Sequence, residues 1–134
     1  LWEIDQECFP PGIAYPRQVL AHYLALPGSV TLVGERDGQI LGYVLVESKG
    51  SGPGHVITID VVAAARRTGL GSRLMAAAEE RLRAAGCTMI FLETAVDNAA
   101  ALSFYKRHGY AVLKTLPRYY QDSLDGLLLG KRLA

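Results

Sequence analysis

The segment with the clearest chemical meaning is a basic, glycine-containing loop before an amphipathic pattern typical of a helix. It consists of Arg66, Arg67, Thr68, Gly69, Leu70 and Gly71, followed by Ser72. Glycines at the start of a helix let backbone N–H groups approach an anion, and the helix N-terminus adds partial positive charge. The two arginines add full charges. The loop is therefore predicted to bind phosphate.

The spacing of this loop excludes the two common nucleotide-binding motifs. A dinucleotide fingerprint needs a third glycine at position 74, where the chain has Leu74. A P-loop needs Gly-Lys followed by Ser or Thr, which is absent here. The pattern that remains is Arg-x-x-Gly-x-Gly.

Further along the chain, a carboxylate and a phenol could move protons. Glu93 ends the apolar run 89–92, where a carboxylate is poorly solvated and could accept a proton from an ammonium group. Asn98, Leu102 and Tyr105 recur at helical spacing and share one helix face. A structural ion pair is the alternative for Glu93, and packing is the alternative for Tyr105.

Size and composition limit the function classes. A chain of 134 residues predicts one domain, residues 1–134, and a net charge of +1 argues against nucleic acid as a partner. The chain has no run of eighteen apolar residues, so no membrane span is predicted. The first residues lack a signal-peptide pattern, and a cytoplasmic location is expected. Two cysteines and three scattered histidines predict neither a disulfide framework nor a metal site.

The hydrophobic pattern predicts the element order α-α-β-β-β-α-β-α-β-β. The helices are expected near 1–8, 16–26, 69–85 and from 97 or 98 to 109, and the strands near 30–34, 40–48, 55–62, 87–94, 110–116 and 126–133. Asp37 and Gly38 predict a hairpin turn, and glycines and prolines in 50–54 predict a second turn. This order indicates an α+β fold, an α/β/α sandwich.

Two segments together resemble the GNAT superfamily of N-acetyltransferases. The first is the loop described above. The second, residues 92–110, reads Leu-Glu-Thr-Ala-Val-Asp-Asn-Ala-Ala-Ala-Leu-Ser-Phe-Tyr-Lys-Arg-His-Gly-Tyr and is similar to a segment of ribosomal-protein-alanine and other N-terminal acetyltransferases. The resemblance implies the GNAT fold without its first strand, with a mixed, mostly antiparallel sheet that splays open at the acetyl-CoA site.

The resemblance also implies residue roles. The loop would hold the diphosphate of acetyl-CoA, the backbone of Ile59, Asp60 and Val61 would bind its pantetheine arm and thioester oxygen, and no metal would be needed. Asn98 would contact the pantetheine arm, Tyr105 would protonate the departing thiolate, and Glu93 would be the base. His55 and Asp60 remain rivals of Glu93, and Asp60 could also narrow the acceptor site or bind its amine.

The acceptor would be bound by residues of two loops, Phe9, Tyr15, Tyr119 and Tyr120. The tyrosine pair is similar to that of N-terminal acetyltransferases, which favours a protein N-terminal α-amine attacking the thioester directly in a ternary complex. Ala63–Ala65 replaces the family's Pro-x-aromatic, and Gly126 and Leu128 replace its Ala and Met, so a small-molecule amine or a protein lysine remains an alternative acceptor. A non-catalytic acyl-CoA sensor is the alternative of another class, and a monomer or weak dimer is expected.

Overall fold

A computed structural model describes residues 1–9, 13–15, 17–48, 52–120 and 124–133. Several expectations fall outside these ranges: the helix break at 10–12, the first residue of the second helix at 16, the beginning of the predicted turn at 50–51, and loop residues 121–123.

The described residues form four α-helices, a short 3-10 helix and six strands. The helices are α1 (Trp2–Cys8), α2 (Arg17–Ala25), α3 (Leu70–Ala84) and α4 (Ala99–Arg107), with the 3-10 helix at Ala63–Ala65. The strands are β1 (Ser29–Arg36), β2 (Gln39–Ser48), β3 (Gly54–Val61), β4 (Met89–Ala95), β5 (Ala111–Leu116) and β6 (Gly126–Arg132). The predicted element order is therefore confirmed.

The strands form one sheet in the order β1-β2-β3-β4-β6-β5. Every neighbouring pair is antiparallel except β3 and β4, which are parallel. One face of the sheet packs against α3 and α4 around Leu74, Met75 and Tyr105, and the other packs against α1 and α2 around Leu20 and Tyr43. The predicted α+β sandwich is thus correct.

A local sequence signal determines one hairpin turn, whereas one core residue is unexpected. Asp37 and Gly38 are both left-handed, with φ of 52° and 79°, as an Asp-Gly hairpin turn requires. The helical pattern of 69–85 has apolar residues on one face, and it predicts Glu79 on the opposite, outer face, but Glu79 is instead buried. It accepts hydrogen bonds from the Tyr110 hydroxyl at 3.0 Å and the Lys131 ammonium at 2.9 Å, and these partners offset the cost of burying its charge.

The parallel pair β3–β4 is short, and this opens the sheet. Only Gly54 with Ile90 and His55 with Phe91 are paired, and beyond them the two strands diverge. In the same region β3 carries a bulge, because Thr58 pairs with β2 and Val56 pairs with the next β2 residue, which leaves Ile57 as an extra residue. The fork between β3 and β4 is where a ligand can enter the sheet.

Candidate functional site

A groove with a volume of about 990 Å³ runs through the fork between β3 and β4. Its two ends are formed by different parts of the chain. The cradle end, as we call it, is the 66–72 loop at the start of α3, and the acceptor end contains Glu93 and the tyrosines predicted to contact the acceptor. Most of the predicted site residues line this one groove.

The cradle end is shaped by backbone conformation. Gly69 is the N-cap of α3 and has a left-handed φ of 85°, and Arg67 is also left-handed, with a φ of 64°. Leu70, Gly71 and Ser72 occupy the first helical positions, whose N–H groups have no partner within a helix. Alternating right- and left-handed residues turn successive N–H groups toward one side, which is the geometry of an anion-binding nest.

The side chains of the cradle differ in where they lie. The groove is lined by Arg66, Arg67, Gly69, Gly71 and Ser72. The Nε atom of Arg66 donates to the Val61 carbonyl at 3.0 Å. Two others line a separate pocket of about 290 Å³ behind the loop: Thr68, whose hydroxyl donates to the Ala65 carbonyl, and Leu70, which packs at Gly34. Thr68 and Leu70 can therefore reach the groove only through their backbone.

Gly71 is needed for space rather than for its backbone conformation. It lies inside α3, and a Cβ atom at this position would be 3.2 Å from a ring carbon of Phe104. Phe104 also lines the groove and stacks on His108, whose ring nitrogen lies 3.0 Å from the Ser72 hydroxyl. The start of α3 and the end of α4 are thus tied together beside the cradle.

The edge of β3 forms one wall of the groove. Ile59 and Val61 line it, whereas the side chain of Asp60 points to the opposite face of the sheet, as the alternation of a strand predicts. The Asp60 carboxyl is 1% exposed and accepts a hydrogen bond from the Thr58 hydroxyl. Only the main chain of Asp60 can therefore face a ligand, and its side chain does not reach the acceptor end.

Two residues that the sequence presents as rival bases are in direct contact. The Nε2 atom of His55 lies 2.7 Å from Oε1 of Glu93, within hydrogen-bond distance. His55 pairs with Phe91 at the last rung before the fork, and Glu93 lies two residues beyond Phe91, on the same face of β4. Their side chains are partly exposed, 37% for His55 and 20% for Glu93, so the pair can meet both solvent and a ligand.

Tyr105 and Asn98 line the groove from α4, the helix on its opposite side. Asn98 is the N-cap of α4, and its side-chain oxygen accepts from the Ala101 N–H at 3.1 Å, so Asn98 and not Asp97 is the cap. Tyr105 is 9% exposed. Burial raises its pKa well above the usual tyrosine range, and the Asp60 and Glu93 carboxylates raise it further. Its hydroxyl therefore stays protonated and can donate a hydrogen bond.

Aromatic side chains surround the acceptor end. Phe9, Tyr15, Tyr119 and Tyr120, the residues predicted to bind the acceptor, all line the groove. The Tyr15 hydroxyl donates to the carbonyl of the bulged Ile57 at 3.2 Å, and the Tyr119 and Tyr120 rings meet edge to face with centroids 4.9 Å apart. Burial, followed by neighbouring tyrosines and Glu93, raises the pKa of Tyr15 and Tyr120 above the usual range, so both remain neutral.

Among the lining residues that were not predicted from the sequence, three carry aromatic or basic side chains: Tyr23, Phe104 and Arg107. Tyr23 lies on α2 and packs edge to face against Tyr15, with centroids 5.7 Å apart. Phe104 and Arg107 lie on α4, next to the predicted Tyr105 and three residues apart. The helical spacing of Phe104 and Arg107 could have placed both on one face. No local signal marks Tyr23, because it reaches the groove only through the packing of α2 on the sheet.

The described residues were compared with what a metal site and a membrane-spanning helix require. Within the described ranges, His, Cys, Asp and Glu side chains form no group of three or more that could hold a metal ion. No helix in the described part of the chain combines the length and the apolar character needed to cross a membrane.

Comparison with known proteins identifies relatives along almost the whole chain. Residues 1–110 match the acetyltransferase (GNAT) family. An uncharacterized N-acetyltransferase of Methanocaldococcus jannaschii is 35% identical over 131 residues, which cover 97% of this chain and 82% of that protein. An N-alpha-acetyltransferase of Sulfurisphaera tokodaii is 29% identical, covering 89% of this chain and 78% of its own length.

The fold also matches a solved structure. The ribosomal-protein-S18-alanine N-acetyltransferase of Escherichia coli superposes with a TM-score of 0.87 at 18% identity, covering 99% of this chain and 85% of that one. At 18% identity, this similarity is evidence for a shared fold only.

Proposed function

Because the chain belongs to the GNAT acetyltransferase family and is therefore an acyltransferase, we propose that it transfers the acetyl group of acetyl-CoA to the α-amine of a protein N-terminus. The acetyl-CoA supplies the reactive thioester. The amine nitrogen attacks its carbonyl carbon, a C–N bond forms, and the C–S bond breaks. One proton is released overall, because a protonated amine loses two protons and the departing thiolate gains one.

The cradle end fits a diphosphate. The N–H groups of Leu70, Gly71 and Ser72, the left-handed backbone of Arg67 and Gly69, and the charge of the nearby arginines all favour an anion at this point. The groove leads from there along the free edge of β3, where main-chain groups can hold an extended arm. These features support acetyl-CoA as the cosubstrate.

The contact between His55 and Glu93 is the observation that carries the proposal. An ammonium group must lose a proton before it can attack, and a carboxylate in hydrogen-bond contact with an imidazole can accept that proton and pass it on. Glu93 faces the groove, and His55 is more exposed than Glu93, so a route from the amine to solvent is present in the side chains themselves. We therefore assign the pair, rather than either residue alone, as the base.

Tyr105 would act on the leaving group. Since burial raises its pKa, the hydroxyl is neutral and can stabilise a thiolate as a hydrogen-bond donor, and it is also a proton source. Tyr105 lies on α4, whereas His55 lies on β3 and Glu93 on β4. Proton removal from the amine and proton delivery to the sulfur thus use separate groups.

An N-terminal amine is favoured because the acceptor end is an open groove and not a closed acidic pocket. Tyr15 reaches it from one loop and Tyr119 and Tyr120 from another, so an extended chain could lie between the two loops. Glu93 and Asp97 are the acidic side chains among the described lining residues. Two carboxylates attract a polycationic small molecule only weakly. The name of the Sulfurisphaera tokodaii relative, an N-alpha-acetyltransferase, agrees with this choice.

The test is to measure thioester cleavage with three matched acceptors. The first is a peptide with a free N-terminus and no lysine, the second is the same peptide acetylated at its N-terminus and carrying one lysine, and the third is a panel of small polyamines and aminoglycosides. We expect turnover with the first alone. Turnover confined to the second or third would replace the proposed acceptor, and tight acetyl-CoA binding without turnover on any of them would favour a sensor.

A further inference from the structure

Two carboxyl groups are buried together on the face of the sheet that packs against α1 and α2. Asp5 of α1 is 0% exposed and Asp60 of β3 is 1% exposed. The carboxyl of Asp5 lies against that of Asp60, and the Tyr43 side chain of β2, also 0% exposed, lies beside both. None of the three lines the groove, and the proposed reaction uses none of their side chains.

Each carboxyl has one oxygen with a partner and one without. Oδ2 of Asp5 accepts from the Tyr15 N–H at 2.6 Å, and Oδ1 of Asp60 accepts from the Thr58 hydroxyl. Oδ1 of Asp5, Oδ2 of Asp60 and the neighbouring Tyr43 hydroxyl are fully buried and have no hydrogen-bond partner among the described residues, so the hydroxyl donates to neither carboxyl. A buried acceptor without a donor is costly, so two in adjacent carboxyls require a common explanation.

One proton satisfies both oxygens. A protonated carboxyl is a donor, so a hydrogen on Oδ2 of Asp60 can be given to Oδ1 of Asp5. Two adjacent buried carboxylates, by contrast, repel each other where no water screens them. Burial raises the pKa of Asp60 from its usual 3.8 to about 8, the adjacent Asp5 carboxyl raises it too, and the hydrogen bond from the Thr58 hydroxyl opposes the rise.

The other titratable groups around the pair do not neutralise it. Cys8 approaches from α1 and Tyr43 from β2, whereas Tyr105 lies on α4 at the opposite face of the sheet. Each of the three is neutral because burial raises its pKa, with the charge of Asp60 as a further cause. Arg66 is the nearby cation, and its guanidinium is held on the Val61 carbonyl beside Cys8. The charge state of the cluster therefore depends on the two carboxyls.

The pair is connected to the acceptor end through one residue. Asp5 holds the Tyr15 N–H, and the Tyr15 hydroxyl donates to the carbonyl of the bulged Ile57 on β3. Gln6, the next residue of α1, donates to the Tyr15 carbonyl at 2.9 Å. Tyr15 lines the groove, so the position of α1 against β3 determines the position of Tyr15 at the acceptor end.

We propose that Asp5 and Asp60 share one proton across the interface of α1 and β3, and that this shared proton positions Tyr15 at the acceptor end of the groove. Asp5 and Asp60 are thus positioning residues, and the part of the inference that concerns the acceptor rests on the proposed function. When the proton is lost, repulsion between the two carboxylates drives α1 away from β3, and Tyr15 moves with Asp5.

The sign of the pH dependence follows from linkage. Asp60 holds its proton in the folded chain at pH values where it would be ionised in the unfolded chain, so folded stability falls as pH rises from about 4 to about 8 and levels off above. The fraction of molecules with Tyr15 in place falls about tenfold for each pH unit above the folded pKa, and the apparent KM for the acceptor rises in proportion.

The test compares the wild type with Asp60→Asn at pH values below and above this transition. The amide keeps the shape, accepts from Thr58 and donates to Asp5 at every pH, so Tyr15 should stay in place. One readout is the hydrogen-exchange protection factor of the Tyr15 amide, which needs no substrate, and the other is the ratio of acceptor KM at the two pH values. Glu3→Gln, on the same helix with a side chain 82% exposed, is the matched control.

In the wild type and in Glu3→Gln, Tyr15 protection should fall and the KM ratio should rise by roughly tenfold per pH unit above the transition, whereas both should be flat in Asp60→Asn. Asp5→Asn, which removes the like charge and keeps an acceptor for Tyr15, should also be flat and serves if Asp60→Asn fails to fold. Equal profiles in all variants would overturn the shared proton. Loss of the KM effect with the protection effect intact would refute only the link to the acceptor.

Discussion

The two ends of the groove are built in different ways. The cradle end consists of backbone groups from one contiguous segment, and Arg67 and Gly69 shape it through their left-handed φ angles. The acceptor end consists of side chains from separate elements, and its central contact joins His55 and Glu93, 38 positions apart in sequence. Local sequence is enough to specify the main-chain geometry of the cradle end, whereas the side-chain contact proposed for proton transfer requires the whole sheet.

This difference predicts how each end responds to substitution. Single side chains at the cradle contribute charge but not shape, because the N–H groups remain when a side chain is changed. At the reacting centre, which consists of Tyr105 and the His55–Glu93 pair, no main-chain group can replace a side chain that is removed. The largest effects are therefore expected at Tyr105 and the His55–Glu93 pair, smaller ones at the cradle glycines, and the smallest at the aromatic walls.

Tyr105→Phe should give the largest loss. The substitution keeps the buried ring and its contacts with Phe104 and Tyr110, and removes only the hydroxyl. Turnover should fall by about 10²–10⁴-fold, the range for a general acid, with nearly unchanged acetyl-CoA affinity in calorimetric titration. Because burial raises the pKa of Tyr105, its ionisation should produce no basic limb below about pH 10 in the wild-type profile. Near-normal turnover would make Tyr105 a packing residue.

Glu93→Gln should give a comparable or slightly smaller loss, because a neutral amide cannot accept the proton. The loss should diminish at high pH, where the amine is already neutral. His55→Ala should also change the acidic limb of the pH–rate profile, because its ring nitrogen lies within hydrogen-bond distance of the Glu93 carboxylate, at 2.7 Å.

The double variant tests whether the two residues form one base. If they act together, Glu93→Gln with His55→Ala should be no slower than the worse of the single variants. Fully multiplicative losses would mean independent roles. Loss in His55→Ala with none in Glu93→Gln would transfer the role of base to the histidine alone.

The same contrast explains what could be read from the sequence. The element order and the Asp37–Gly38 turn follow from periodicity and local backbone rules, and both agree with the structure. The 66–72 loop is read from the same local rules, and its binding of a diphosphate stays a prediction. The prediction for Glu79 was wrong, because its partners Tyr110 and Lys131 come from the far end of the chain. The His55–Glu93 contact and the burial of Asp60 against Asp5 depend on strand pairing and helix docking, which local patterns do not encode.

Gly69→Ala should weaken acetyl-CoA binding by about 10- to 100-fold, as expected for the loss of one or two charge-assisted hydrogen bonds. Gly38→Ala is a matched control, since both glycines have positive φ and a Cβ atom added to either would meet no heavy atom within 4 Å. Both variants should lose about 1–2 kcal/mol of unfolding free energy from left-handed strain. Only Gly69→Ala should change the dissociation constant, and equal affinity in the two variants would disprove the cradle.

The aromatic walls should be the least sensitive part of the site. Tyr119 is 50% exposed and shares its wall with Tyr120, so Tyr119→Ala should raise the acceptor KM by only a few-fold, below the level of an interface hot spot. Tyr120→Ala should cost more, because Tyr120 is more deeply buried than Tyr119. Neither should alter acetyl-CoA affinity. If Tyr119→Ala instead abolished turnover, the acceptor end would depend on a single residue as strongly as the reacting centre does, and the proposed division of the groove would be wrong.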